Sequence, residues 1–219
     1  MSQPDLEPLL RRLSTAGLVL LTRNESQDIW QGWQPAATIQ HVVDRKWLGS
    51  PGASDAEIAA AEARLGQRLP RSYRDFLQRS NGWLHVAAFR PPVRFVPTTE
   101  VDGFSRQHAD WLAAWRDGAG HAAALHGESA RLSDAEYLVY GPDQQPDKIR
   151  DEYLDTAVAI SEEMDAGIYL LNPSIVTTDG EWEAWLFANW LGGARRYRSF
   201  YELMIAECEQ LEAQARGGT

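Results

Sequence analysis

The sequence predicts an α+β fold in which a mostly antiparallel sheet packs with an N-terminal helical hairpin and a C-terminal helix. Helical periodicity with capping signals occurs both before residue 80 and after residue 199 of the 219-residue chain. Short extended segments fill the middle, and the Asp179-Gly180 pair between two of them is a hairpin-turn signal. The length allows one large domain, or a small domain with an appendage.

Apolar spacing predicts the first helices. Leucines at helical spacing indicate a short amphipathic helix over residues 5–14, which Gly17 ends. The apolar run 18–22 has the length of a strand. Apolar residues at helical spacing from Ile39 to Trp47 suggest a further helix.

The helical hairpin is the clearest local prediction. Ser54 and Glu57 form a capping box, in which each side chain satisfies a free amide at the helix start, and Gly66 supplies the left-handed residue that closes this helix. A second helix begins at Pro70 and stops at the Asn81-Gly82 turn.

Extended segments dominate the next hundred residues. Strand candidates lie at residues 84–89, 93–96, 137–140, 156–161 and 167–171. Asn172-Pro173 ends the last of these, because proline cannot donate to a sheet ladder. Between them, helical spacing indicates a helix over 105–116, and a composition rich in Gly, Ala and His indicates a loop over 117–131.

The C-terminal part combines one strand and one helix. Residues 182–189 alternate with a period of two and carry aromatic bulk on both faces, which predicts a central strand. Ser199 and Glu202 form another capping box, so the last helix begins there.

Composition and charge exclude several classes of function. The chain has 31 acidic and 21 basic residues, and its net charge of −10 disfavours direct binding of nucleic acid. Cys208 is the only cysteine and cannot form an intramolecular disulfide. Because the chain has neither a recognisable export signal nor a long apolar run, we expect a cytoplasmic protein without a membrane segment.

No enzyme motif is recognisable in the sequence. Phosphate-binding loops, dinucleotide fingerprints, nucleophile elbows and zinc helices are missing, which weakens the case for an enzyme, and we expect no cofactor. The histidines are dispersed and predict no metal site: His41, His85, His108, His121 and His126. The alternative is a carbohydrate-active enzyme, because Glu181 and Glu183 lie on one face of a strand beside tryptophans. Acids in this arrangement are ordinarily solvated.

Acidic residues cluster in two segments and suggest a docking surface for a basic protein. The predicted contact residues are Glu162, Glu163, Asp165, Asp179 and Glu181. A solvated acidic loop is the alternative reading. Arg195, Arg196 and Arg198 are expected to pair with neighbouring carboxylates or to cover apolar surface, since three arginines do not outweigh the overall negative charge.

Three segments together resemble the SUKH superfamily, the SMI/KNR-type proteins. They read SDAEIAAAEARLGQRLPRSYRDFLQRSNGW, YLLNPSIVTTDGEWEAWLFANW and GARRYRSFYELM. The resemblance runs from about Trp47 to Met204, and several separate motifs occur in the family's order. One departure is Leu191-Gly192-Gly193, where the family tends to have a proline before the glycine.

The resemblance implies an α+β domain that binds rather than catalyses. Bacterial relatives are commonly immunity proteins that neutralise a cognate toxin, often a nuclease or a deaminase, whereas a fungal relative regulates cell-wall assembly and signalling. The implied partner is a protein, with the oligomeric state left open. The implied structural motif comprises Gly66, Leu69, Pro70, Tyr73, Phe76, Asn81, Gly82, Trp182 and Trp185. We expect residues 47–219 to form the SUKH-like domain and residues 1–46 to be an extension that packs on it.

Overall fold

The structure, a computed structural model, describes residues 5–23, 36–86, 91–126 and 132–217, with only the backbone given for residues 36 and 119–126. Within these ranges the helices are Leu6–Leu21 (α1), Ala36–Arg45 (α2), Asp55–Leu65 (α3), Arg71–Arg79 (α4), Phe104–Gln107 (α5), Ala109–His126 (α6), Asp134–Tyr137 (α7) and Phe200–Gly217 (α8). The strands are Trp83–His85 (β1), Val93–Phe95 (β2), Asp102–Gly103 (β3), Val158–Ala159 (β4), Gly167–Val176 (β5), Trp182–Ala188 (β6) and Gly193–Tyr197 (β7). Short 3-10 turns lie at Gly141–Asp143, Asp151–Asp155 and Asn189–Leu191.

Antiparallel pairing confirms the predicted α+β class. The main sheet has the strand order β3-β4-β5-β6-β7, and β1 and β2 form a separate pair. The β5–β6 ladder begins at Gly167 opposite Ala188, and the predicted Asp179-Gly180 turn connects the two strands. Every residue of β6 is buried, as expected of a strand with neighbours on both sides.

The main sheet separates two apolar cores, which follow from the period-two alternation of β6. Trp182, Ala184 and Leu186 face the larger core, which α1, α3, α4 and α8 cover. Trp185 and Phe187 face the second core, which includes residues of α5, α6 and α7. The molecule is therefore layered as helices, sheet and helices.

The helical hairpin has the predicted boundaries and caps. Ser54 and Glu57 form the capping box of α3, and Gly66 ends it in the left-handed conformation with φ 71°. Most of the implied structural motif is buried: Leu69, Pro70, Tyr73, Phe76, Gly82, Trp182 and Trp185. Tyr73, Phe76 and Trp182 lie in the larger core with the hairpin, whereas Trp185 lies in the second core on the other face of the sheet.

Gly17 lies inside α1, so the predicted helix end at Gly17 and the predicted strand over 18–22 are both wrong. A Cβ atom at this position would lie 2.8 Å from Leu48 Cδ1 and 3.3 Å from Val86 Cβ. Glycine therefore permits a close approach of the helix to these two side chains rather than a break in it.

The predicted strand over 137–140 is also wrong, because a capping box forms α7 there. The Ser133 side chain accepts a hydrogen bond from Glu136 N, and the Glu136 carboxylate accepts one from Ser133 N. The loop expected over 117–131 is a helix as far as His126, and residues 127–131 lie outside the described ranges.

Strand β5 passes through Asn172-Pro173, which was expected to end it. The β5–β6 register shifts between Asn172 and Val176. Pro173 lies within this irregularity, where its missing amide interrupts no regular ladder.

The outer edge of β7 is covered by residues 140–147. Gln144 Nε2 donates to Arg196 O at 2.9 Å, and Arg196 N donates to Gln144 Oε1 at 2.6 Å. Ala194 N donates to Pro146 O at 2.9 Å. One side-chain amide thus satisfies the backbone donor and acceptor that an added strand would otherwise use.

Candidate protein-binding surface

The structure separates the acidic residues that the sequence suggested as one docking surface. Glu162, Glu163 and Asp165 precede β5, whereas Asp179 and Glu181 follow it. Because β5 has 10 residues with a rise of about 3.3 Å each, the two groups lie about 30 Å apart. They therefore cannot form one compact contact patch.

Glu181 is occupied by a contact within the protein. Its side chain accepts hydrogen bonds from Ser72 N, at 2.9 Å, and from Ser72 Oγ. Only 5% of the residue is exposed. Since Ser72 lies in the first turn of α4, the carboxylate stabilises the positive end of that helix. Asp179, by contrast, is exposed at the β5–β6 turn.

Glu183 is fully buried in the second core and is held by several polar groups. Its carboxylate accepts hydrogen bonds at 2.6 to 2.9 Å from Tyr137 Oη, Tyr140 Oη, Asn172 Nδ2 and Trp185 Nε1. Arg196 Nη1 lies 3.6 Å away and supplies the opposite charge. Buried charges persist in this way when they are both paired and hydrogen-bonded.

Neither glutamate is available to a sugar. Burial, followed by the Glu183 charge, raises the pKa of Tyr137 and Tyr140, so both hydroxyls stay protonated and donate. Hydrolysis of a glycosidic bond needs carboxyl groups that reach the substrate. The expected solvated position of these acids is wrong, and the geometry does not supply the pair that the carbohydrate-enzyme alternative requires.

Asp165 lies at the exposed tip of a two-residue turn between β4 and β5. Met164 and Gly167 exchange backbone hydrogen bonds of 2.9 and 3.0 Å across it, and both Asp165 and Ala166 have positive φ. Trp190 Nε1 donates to Asp165 O at 3.0 Å, while 49% of Trp190 remains exposed. An exposed tryptophan is thus fixed beside an exposed carboxylate.

The charges near this turn are only partly compensated. Arg94 pairs with Glu162 at 2.8 Å and with Glu100 at 2.7 Å, so one cation serves two acids. His108 Nδ1 lies 3.9 Å from Glu163. Burial lowers the pKa of His108, against the opposing effect of Glu163, so this histidine is neutral near pH 7. His108 is therefore not a cation that compensates Glu163 near pH 7.

Two tryptophans of α6 extend this region. Trp111 and Trp115 are four residues apart and pack on Phe187, with ring centroids 5.3 and 4.8 Å from it. Trp111 Nε1 donates to Asn189 Oδ1 and Trp115 Nε1 donates to Asp151 Oδ1, each at 2.9 Å. Both rings are therefore fixed by packing and by a hydrogen bond.

A groove of about 570 Å³ opens between these tryptophans and the chain that precedes Asp151. Asp147 and Asp151 line it, and Asn189 connects it to Trp190, the next residue in the chain. We call the combined surface the acidic face. It consists of Trp111, Trp115, Asp147, Asp151, Glu163, Asp165 and Trp190.

Sequence reasoning missed the groove, although the four-residue spacing of the tryptophans was a usable signal. Sequence reasoning was more successful with the carboxylate partners of the arginines. Arg196 pairs with Glu183, and Arg198 Nη1 lies 3.6 Å from Glu202. The predicted pairing with carboxylates is therefore confirmed for Arg196 and Arg198.

The described ranges contain no group of three or more His, Cys, Asp or Glu side chains arranged to hold a metal ion. None of the helices in these ranges combines the length and apolar character that a bilayer span requires. Cys208 is buried, and burial raises the pKa of its thiol to about 11, so it is not a thiolate at neutral pH.

A family model described as the SMI1/KNR4 family (SUKH-1) matches residues 52–205, from the residues before α3 into the first turns of α8. No curated protein matches the chain.

Proposed function

The chain belongs to the SMI1/KNR4 family (SUKH-1), and from this we propose that it is a non-enzymatic binding protein that acts in the bacterial cytoplasm as an immunity protein. Family membership supports an immunity or SMI1/KNR4-type role in general. The more specific proposal is that the chain binds a cognate toxin with a basic surface and blocks its active site. The acidic face is the observation that carries it.

The acidic face has the composition of a binding site for a basic protein. Tryptophan is enriched among the few residues that dominate binding energy in interfaces, and Trp190 of this face is half exposed. The carboxylates around it match a surface that itself binds phosphate groups, as in a nuclease. The net charge of −10 would accelerate association with such a toxin at low salt.

Neutralisation of a captured partner is the direct test. The tagged full chain is used to isolate partners from native cells, and each partner is expressed in a heterologous host with and without the chain. We expect a partner that stops growth alone and permits growth when the chain is present. A partner that binds but does not stop growth would contradict the immunity proposal and favour the alternative, a scaffold or regulator of cell-wall synthesis or signalling.

Variants locate the surface once a partner is known. Trp190→Ala should weaken binding at least about thirtyfold, the loss typical of a central anchor. The paired charge reversals Glu163→Lys and Asp165→Lys should slow association and reduce its dependence on salt. Asp179→Lys is the matched control, since it reverses an exposed acid at the far end of β5. Equal rates for all these variants would show that the toxin binds elsewhere.

A further inference from the structure

The groove of the acidic face is organised before any partner arrives. The Trp111 and Trp115 rings pack on Phe187, and each indole N–H is already bonded to a neighbouring side chain. Binding against such walls costs little side-chain entropy, because the rings do not have to be ordered first.

The described residues that line the groove carry charge of one sign. Asp147 and Asp151 are among them, and none of these described residues is basic. The neighbouring Arg116 is engaged elsewhere, because it pairs with Asp155 at 2.8 Å. Asp147 is exposed, so its carboxylate can accept bonds from a ligand.

A second cavity of the molecule is lined by charges of both signs. It has a volume of about 650 Å³, lies between β7 and α8, and is lined by Arg195, Arg198, Glu202 and Glu209 among others. Since both signs are present and Arg198 already pairs with Glu202, its charge favours no single class of ligand.

We propose that the groove receives an arginine side chain of the partner, with its guanidinium between the tryptophans and the carboxylates of Asp147 and Asp151. This inference rests on the proposed function and specifies the chemistry of the partner's anchor residue. A guanidinium can stack on an indole ring and donate two parallel hydrogen bonds to a carboxylate.

Arginine fits the groove better than lysine does. Asp151 already accepts a bond from Trp115 Nε1 through Oδ1, which leaves its second oxygen for a ligand. The planar, weakly hydrated guanidinium can contact that oxygen, the Asp147 carboxylate and an indole face together. An ammonium group is a point charge with a firmly held water shell and cannot stack in this way.

A peptide titration tests the proposal on the full chain. The probe is a hexapeptide of alternating glycine and arginine with blocked ends, and the readout is the indole N–H signals of Trp111 and Trp115 in ¹H–¹⁵N NMR spectra. We expect both signals to shift and to saturate. The same peptide with citrulline, a neutral isostere of arginine, should not bind, and the lysine peptide should bind more weakly.

The variant Asp147→Asn with Asp151→Asn removes the charge and keeps an acceptor for Trp115 Nε1. We expect it to fold normally and to bind the arginine peptide at least about tenfold more weakly, the loss of one charge-assisted hydrogen bond. Asp179→Asn, the matched control, should bind as the unmodified chain does. Equal binding by the double variant, or equal binding of the citrulline peptide, would overturn the proposal.

The two proposals fail in different ways. If the double variant still neutralises the toxin with unchanged affinity while Trp190→Ala does not, the arginine anchor is wrong and the immunity function stands. If no captured partner is toxic, the immunity function is wrong, whatever the peptide does.

Discussion

Glu183 joins parts of the chain that are distant in sequence. Tyr137 from α7, Asn172 from β5 and Arg196 from β7 all contact its carboxylate. If the carboxylate were lost, the Tyr137 hydroxyl and the Asn172 amide group would lose the acceptor of their hydrogen bonds. Arg196 would keep its bonds to the backbone oxygens of Tyr137 and Val139 but would lose its opposite charge. A buried network is therefore stable only while all its members are satisfied.

Replacing Glu183 by glutamine tests this dependence. The amide leaves Arg196 buried without an opposite charge, and we expect the free energy of unfolding to fall by about 3–5 kcal/mol. Urea denaturation followed by tryptophan fluorescence measures this loss. Glu163→Gln, at an exposed position, is the control and should change stability by less than about 0.5 kcal/mol. A Glu183→Gln protein as stable as this control would show that the network contributes little.

His108 gives a prediction about pH. Burial holds its pKa below the ordinary value of 6.5, and Glu163 opposes this shift. Glu163→Gln should therefore lower the pKa of His108 further, which an NMR titration of the imidazole signals can measure. Asp179→Asn should leave it unchanged. An upward shift in the Glu163→Gln protein would contradict the ion-pair geometry.

The same shift fixes the sign of the stability change. Because the folded chain holds the pKa of His108 below that of the unfolded chain, protonation favours unfolding. The contribution of His108 to stability is therefore complete above pH 6.5 and is lost as the pH falls through the folded-state pKa.

Among the secondary-structure elements, β7 depends on the segment that covers it. A Cβ atom on Gly193 would lie 2.1 Å from the backbone oxygen of Pro146. Neither backbone can move aside without breaking the hydrogen bond from Ala194 N to Pro146 O. The glycine is thus required by the close approach of two chains.

Two glycine-to-alanine substitutions should have opposite effects. Gly193→Ala should lower the free energy of unfolding by about 1–3 kcal/mol and increase hydrogen exchange at the amides of Ala194 and Arg196. Gly118→Ala, in a helix where an added Cβ meets no atom within 4 Å, should raise stability by up to about 1 kcal/mol. A change in the free energy of unfolding that has the same sign for both variants would contradict the steric argument.

Local signals predicted the helices well where both caps were readable. The Ser54–Glu57 pair located the start of α3, but the equivalent Ser133–Glu136 pair was missed because the aromatic residues after it have the composition of a strand. Gly17 was misread because its close contact with Leu48 depends on tertiary packing.

The candidate site was predictable only in part. The acidic residues were correctly recognised as exposed at Glu163, Asp165 and Asp179. Their separation was missed because β5 was expected to end at Asn172, which would have shortened the distance between the two turns. The groove lies between α6 and the chain around Asp151. These segments are distant in sequence, and local patterns do not encode how they approach each other.

At the level of the whole molecule, the N-terminal region contributes to the larger core although the family match begins later. All the leucines of α1 except the partly buried Leu18 are buried there, and Arg12 Nε lies 2.9 Å from Glu212 Oε1 on α8. The expected boundary at residue 46 therefore remains a proposal about the limits of the family domain. It does not mark residues that the fold can lose.

Deletion of residues 1–46 should prevent stable folding. Each fully buried leucine contributes about 1.5–3 kcal/mol, and the loss of several approaches the total stability of a typical domain. We expect a chain without cooperative thermal unfolding, as measured by circular dichroism. Leu10→Ala is a less disruptive variant, which should keep the fold and lower the free energy of unfolding by about 2–5 kcal/mol. A deletion variant with an unchanged melting temperature would show that the extension is dispensable.

The way in which Gln144 covers β7 affects how the protein behaves when it is stressed. If heat or mutation releases residues 140–147 while the sheet persists, the backbone groups of Arg196 and Ala194 become a template for a strand from another molecule. Aggregation would then start from a nearly native species rather than from the unfolded chain. Linking this segment covalently to β7 would be the rational way to extend the storage life of the protein.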